Sequence, residues 1–150
     1  MSRSCFCRSV IASAIAVVAG YVSAGAHAEL GGVMPNQAGS GASAPLNGAL
    51  RVRTWTDAGN TTINEYATST GQIIAYTWQG PTMPDLHALL GKYADSYKAG
   101  AAAANNGNLH SSRVARSDVI VESGGPMRGY VGRAWLPAAL PPGVTSDDLQ

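Results

Sequence analysis

The hydrophobic period of this chain changes abruptly at Gly80-Pro81. Before that point, residues 72–79 alternate as a strand does, with Ile74, Tyr76 and Trp78 on one side and Ile73, Ala75 and Thr77 on the other. After it, Leu86, Leu89, Leu90, Tyr93 and Tyr97 recur at helical spacing and form one apolar stripe. A period of two followed at once by a period near 3.6 demands a strand turned back under a helix. The expected class is therefore α+β, with the stripe lying on the sheet.

Two further strands precede this unit. Residues 50–57 alternate, with Val52, Thr54 and Thr56 opposite Arg51, Arg53 and Trp55, and Ala58-Gly59-Asn60 reads as a hairpin turn. Residues 61–67 form the second strand, and Thr68-Ser69-Thr70-Gly71 the second turn. Such short connections favour an antiparallel three-stranded meander. The helix is expected to take Thr82 as N-cap with Asp85 three residues on, and Pro84 in its first turn, where a missing N–H costs nothing. Gly91 inside the helix suggests close backbone packing, and Asn105-Asn106-Gly107 ends the helix. A polar loop follows. Residues 117–123 and 127–136 then read as a C-terminal hairpin about Gly124-Gly125-Pro126, weakened by Gly129 and Gly132. Pro137, Pro141 and Pro142 make an extended tail, with a final turn capped by Thr145 or Ser146.

The start of the chain reads as an address. Arg3 and Arg8 stand in a stretch without acids, residues 10–22 form an apolar run of 13, and Ala26-His27-Ala28 ends a small-residue segment. These are the three parts of a secretory signal peptide, and the run is shorter than the roughly 18 residues of a membrane span. The expected boundaries are a signal over residues 1–28, a flexible Gly/Ala/Ser/Pro-rich lead over 29–49, and one α+β domain over 50–150. Removing 28 of the 150 residues leaves 122, takes Cys5 and Cys7 away, and leaves 8 basic against 9 acidic residues. The mature chain is then free of cysteine, without a membrane span, and periplasmic or extracellular; its oligomeric state is not encoded in any visible pattern.

With charged residues at 13% and a formal net charge of +1, the composition argues against a nucleic-acid partner. Neither a metal nor a cofactor is expected: the mature chain keeps only His87 and His110, neither at ligand spacing from a carboxylate. Ser123 before Gly124-Gly125 lacks the flanking pattern of a nucleophile elbow, and no Gly-rich phosphate loop is present. Two places join arginine or a helix start to aromatic side chains. Arg128, Tyr130, Arg133 and Trp135 lie together on the last hairpin, and Trp78, Gly80 and Thr82 mark the strand-to-helix corner. Each is a candidate ligand or partner surface. The ordinary alternative is that arginine stems cover a tryptophan and that the corner exists to turn the chain. The same choice applies to Arg51 and Arg53 beside Trp55.

The blocks Tyr76-Thr77-Trp78-Gln79-Gly80-Pro81, Pro84-Asp85-Leu86 and Leu89-Leu90-Gly91-Lys92-Tyr93 carry a family pattern. Glu65-Tyr66, Ser123-Gly124-Gly125 and Leu140-Pro141-Pro142-Gly143-Val144 extend it. From about Leu50 to the end, the chain resembles a bacterial family of secreted proteins with a domain of unknown function, number 2844. The resemblance implies export and one small domain, and it carries no activity, cofactor or catalytic residue.

The functional expectation is a non-enzymatic envelope or extracellular module binding a protein or a polymer. The alternative is an enzyme or enzyme accessory, hydrolase-like, whose site forms only in the fold from His87, His110 and Ser123. A third possibility is an inhibitor or chaperone-like partner encoded beside its target.

Overall fold

The computed structural model describes residues 28–34, 48–104, 111–126 and 129–150. Six antiparallel strands form one sheet: β1 (Leu50–Thr56), β2 (Thr62–Thr68), β3 (Ile73–Gly80), β4 (Ser111–Ala115), β5 (Ile120–Gly124) and β6 (Tyr130–Trp135). Their spatial order is β1-β2-β3-β6-β5-β4, so β3 and β6 meet at the centre. Helices lie between β3 and β4 in sequence, which makes the fold mixed α+β. Among the described residues, no helix is long and apolar enough to cross a membrane.

The turns follow their sequences. Asp57 accepts from the amides of Gly59 and Thr61 at 2.8 and 2.9 Å, while Asn60 takes φ +61. Gly71, at φ +91, closes the β2–β3 turn with its N–H on the Thr68 carbonyl at 2.9 Å. The corner after β3 departs from expectation. Thr82 is not a helix cap: its hydroxyl donates to the Gly59 carbonyl, and its own carbonyl accepts from Thr61 Oγ1 at 2.6 Å. Asp85 is the N-cap, accepting from the His87 and Ala88 amides, and Pro84 precedes the cap rather than entering the first turn. Capping by Asp85 fits because a carboxylate two residues past Met83 reaches both amides, whereas Thr82 is tied to the β1–β2 turn.

The helix also breaks where the periodicity runs through. α1 (Leu86–Leu90) gives way to a single 3-10 turn at Gly91–Tyr93, and α2 (Ala94–Ala103) follows. Gly91 has φ +51, and a Cβ there would stand 2.0 Å from Glu29 Oε2. The apolar stripe nevertheless does what its spacing predicts. Leu89 and Leu90 are buried, with Leu86, Tyr93 and Tyr97 packed beside them.

Three expectations give way to the structure. Order does not begin at Leu50, because residues 29–34 of the anticipated lead, with Ala28 before them, run between α1 and β3. Leu30 donates to the Leu89 carbonyl at 2.8 Å, and Gly31 and Met34 donate to the Ile73 and Gly71 carbonyls. Leu30 and Met34 are buried in the core; two large apolar side chains are enough to anchor a segment otherwise made of small residues. Residues 35–47 of the lead and residues 1–27 of the signal lie outside the described residues. Next, β4 was an unassigned polar loop; only Val114 of its five residues is buried, so an edge strand with one apolar anchor carries no periodic signal. Last, Ile74 does not share a face with Tyr76 and Trp78. The β2–β3 register skips it, with Tyr66 opposite Ala75 and Ala67 opposite Ile73. This bulge turns Ile73 to the helix side and Ile74 to the other.

The sheet therefore separates two apolar clusters. One holds Ile63, Ile73, Tyr76, Trp78, Val121 and Ala134 beneath the helices and Leu30. The other holds Leu50, Tyr66, Ile74, Ala75 and Trp135, covered by Val144 and Leu149 of the returning tail. Thr145 and Asp148 cap the last 3-10 turn, Ser146–Asp148, reciprocally.

Candidate functional site

The tail covers only part of its face. Alternation places Tyr66, Ala75, Trp135, Ile120 and Ala115 in one cross-strand row, which Val144 and Leu149 seal near its centre. Two further rows lie on the same face, the inner one half-covered where the tail bonds to it and the outer one largely exposed. Asn64, Thr77, Arg133, Glu122 and Arg113 make one, and Thr62, Gln79, Val131, Gly124 and Ser111 the other. Together with Leu149 and Gln150 as a wall, they line a groove of about 830 Å³. That volume is in the range of small-ligand sites. The sequence missed the groove because its rows come from five strands, one of them β4. The visible part of the signal is the polar alternation Thr62/Asn64 and Thr77/Gln79 within otherwise apolar strands.

The charges in the groove are held by each other. Glu122 accepts from Arg113 Nε at 3.2 Å and from Arg133 Nε at 2.7 Å. Arg133 also donates to the Ser146 carbonyl at 2.6 Å and lies over the Trp135 ring at 5.3 Å. It thus ties the tail to β5 and β6. Asn64 accepts from Thr54 at 2.8 Å, donates to Thr77 Oγ1 at 3.1 Å, and also donates to the Gln150 main-chain oxygen. The Tyr66 hydroxyl donates to that same oxygen. The lining combines hydroxyl and amide side chains and paired charges with apolar surface from Val131 and Leu149.

Of the surface candidates expected from sequence, Arg133 presents its side chain to the groove, whereas Trp78 only borders it, its ring buried in the helix-side cluster. Gly132 faces Trp78 across β3–β6, and a Cβ on it would stand 2.3 Å from Trp78 Cζ2. That explains a glycine inside β6 as room for a ring. Gly80 and Tyr130 are cross-strand partners, and Tyr130 is exposed, but neither lines the groove. Thr82 serves the corner and Trp135 is buried under the tail. Arg128 and His110 lie outside the described residues. Ser123 lines the groove, whereas His87 is exposed on α1 and does not. Among the described residues, no group of His, Cys, Asp and Glu could hold a metal ion.

The opposite face holds a buried polar row. Arg53 Nη2 donates to Glu65 Oε2 at 3.0 Å, and the Tyr76 hydroxyl lies 3.1 Å from the same oxygen. Tyr76 also donates to the Ala28 carbonyl. Glu65 is wholly buried, and its Oε1 has no hydrogen-bond partner among the described residues. So Arg53 beside Trp55 takes the ordinary role, an internal pair rather than a ligand surface. Burial, and after it the Glu65 carboxylate, push the Tyr76 hydroxyl far above the usual phenol range. The folded chain therefore keeps this proton when an unfolded phenol, at about pH 10, loses it. The stability this provides is complete below pH 10 and is lost as the pH rises further. Urea midpoints measured from pH 9 to 12 should fall in the wild type and fall less in Tyr76→Phe.

A family model described as a protein of unknown function (DUF2844) matches residues 26–149. No curated protein and no solved structure matches the chain.

Proposed function

Because the chain belongs to the family of proteins of unknown function DUF2844, we propose its role from its own surface: an exported, non-enzymatic module that binds a neutral, hydroxyl-rich polymer in the open groove. The observation that carries this reading is the pair of rows beside the tail, Asn64-Thr77-Arg133-Glu122-Arg113, half-covered, and Thr62-Gln79-Val131-Gly124-Ser111, largely exposed. Five strands at about 4.8 Å spacing give a groove about 19 Å across, suited to an extended ligand. Hydroxyl and amide side chains offer both donors and acceptors, which a saccharide chain requires. Arg113 and Arg133 share Glu122, and Arg133 also pairs with Asp147 at 3.4 Å, so two carboxylates answer the two guanidiniums and leave little to draw an anion. A peptide would gain most by adding to a sheet edge, and the groove instead runs across the face of paired strands. Export is supported by the charged head, the short apolar run and Ala26-His27-Ala28. The family match starts at residue 26, past that run.

The test is an array of neutral oligosaccharides beside an array of uncharged peptides, probed with the exported protein. Thr62 and Gln79 are exposed groove residues, so the double change Thr62→Ala/Gln79→Ala should leave the fold within about 0.5 kcal/mol per site. Saccharide binding should weaken at least tenfold in that variant. Binding to peptides only, or saccharide binding that the variant leaves intact, contradicts the reading.

A further inference from the structure

Resting on the export reading, we infer that cutting the chain after Ala28 creates a structural ligand: the new Glu29 α-ammonium docks on the buried Glu65 carboxylate. Hydrolysis of the Ala28–Glu29 bond consumes one water. The Ala28 side leaves with a carboxylate, and Glu29 keeps an amine that is protonated at neutral pH.

The groups that would hold that ammonium stand next to the Ala28 carbonyl. The Ala28 carbonyl accepts from the Tyr76 hydroxyl, which also reaches Glu65 Oε2 at 3.1 Å. Peptide geometry sets the Glu29 nitrogen about 2.3 Å from that carbonyl oxygen. The residues behind it are pinned: Leu30 donates to the Leu89 carbonyl at 2.8 Å, and Gly31 to the Ile73 carbonyl at 2.9 Å. When Ala28 departs, the nitrogen is therefore left close to the Tyr76 hydroxyl, which itself lies 3.1 Å from Glu65 Oε2. Glu65 Oε1, fully buried and without a partner among the described residues, is the acceptor left over. An ionised oxygen buried without a partner is costly, and an ammonium relieves it.

Charge balance agrees. The groups that face this point are Glu65 on β2, Arg53 on β1, Tyr76 on β3, and Glu29, whose carboxylate lies against Gly91 and acts on the Tyr76 proton. Two carboxylates meet one guanidinium here, with Lys92 farther along beside Gly31, and the ammonium adds a cation on the side of the buried Glu65. Gly91 belongs to the same arrangement, since any side chain there would displace Glu29.

The full chain is expressed with export, and the purified protein is labelled with 13C and 15N. Mass spectrometry first reads the N-terminus. A start other than Glu29 overturns the cut and this inference with it. With Glu29 at the start, the α-amine is titrated by NMR. Pairing with Glu65 should raise its proton affinity at least tenfold above that of an ordinary α-amine, which titrates near 7.7–8.0. A value at or below the ordinary one shows an exposed or merely buried amine and overturns the docking alone. In Glu65→Gln the increase should vanish, and its persistence in a folded variant also overturns the docking. If Glu65→Gln does not fold, the wild-type titration decides by itself, because burial without an anion lowers the affinity and pairing raises it.

Discussion

Leu90→Ala is expected to lower the stability of the domain by about 2–5 kcal/mol. Leu90 is fully buried in the cluster that joins α1 to β3. Its loss would leave a cavity facing Ile73 and Tyr76, beside Leu30. The small helix cannot collapse into that space freely. It is capped at one end by Asp85 and ends at the other at Gly91, under Glu29. Domains of this size hold only about 5–15 kcal/mol in total, so the variant should melt far below the wild type. Thermal unfolding followed by circular dichroism checks it. A melting temperature within a degree or two of the wild type would mean that the stripe does not pack as described.

Glu65→Ala should have an effect of similar size, about 3–5 kcal/mol. The substitution leaves Arg53 without its partner, removes an acceptor from Tyr76, and opens a hole between β1 and β3. Arg53 is 25% exposed on its side chain and relaxes towards water, so the deficit lies mainly in the vacated interior. By contrast, Arg113→Ala removes an ion pair whose arginine is 63% exposed, and its effect should stay below about 1 kcal/mol. Urea unfolding of the two variants beside the wild type measures the contrast. Equal effects would contradict the assignment of Glu65 as an internal, stabilising carboxylate.

Local pattern made the meander and the helix stripe legible, because most of their residues keep a regular period over several positions. Trp78 and Tyr76 showed their face directly, whereas Ile74 misled because a one-residue bulge inverts the alternation without changing composition. Thr82 has the chemistry of a cap, and only the position of Gly59 and Thr61 across the corner shows that its hydroxyl is already engaged. Leu30 and Met34 stand among glycines with no period around them, so their burial depends on contacts with β3 and α1 that no local window contains. The groove is the extreme case. Arg133 was visible as an arginine near aromatic side chains, yet its partner Glu122 and the β4 residue Arg113 join it only through strand order. A site assembled from rows across five strands has no signature in sequence order.

The central claim is that the face left open by the tail is where this module meets its ligand. The direct measurement is an amide NMR titration of the exported protein with the neutral oligosaccharide selected on the array. The account predicts that shifts concentrate at Thr62, Asn64, Thr77, Gln79, Ser111 and Arg113 and leave α1 and α2 unmoved. Shifts concentrated on α1, α2 and residues 28–34 instead, with the groove silent, would contradict it.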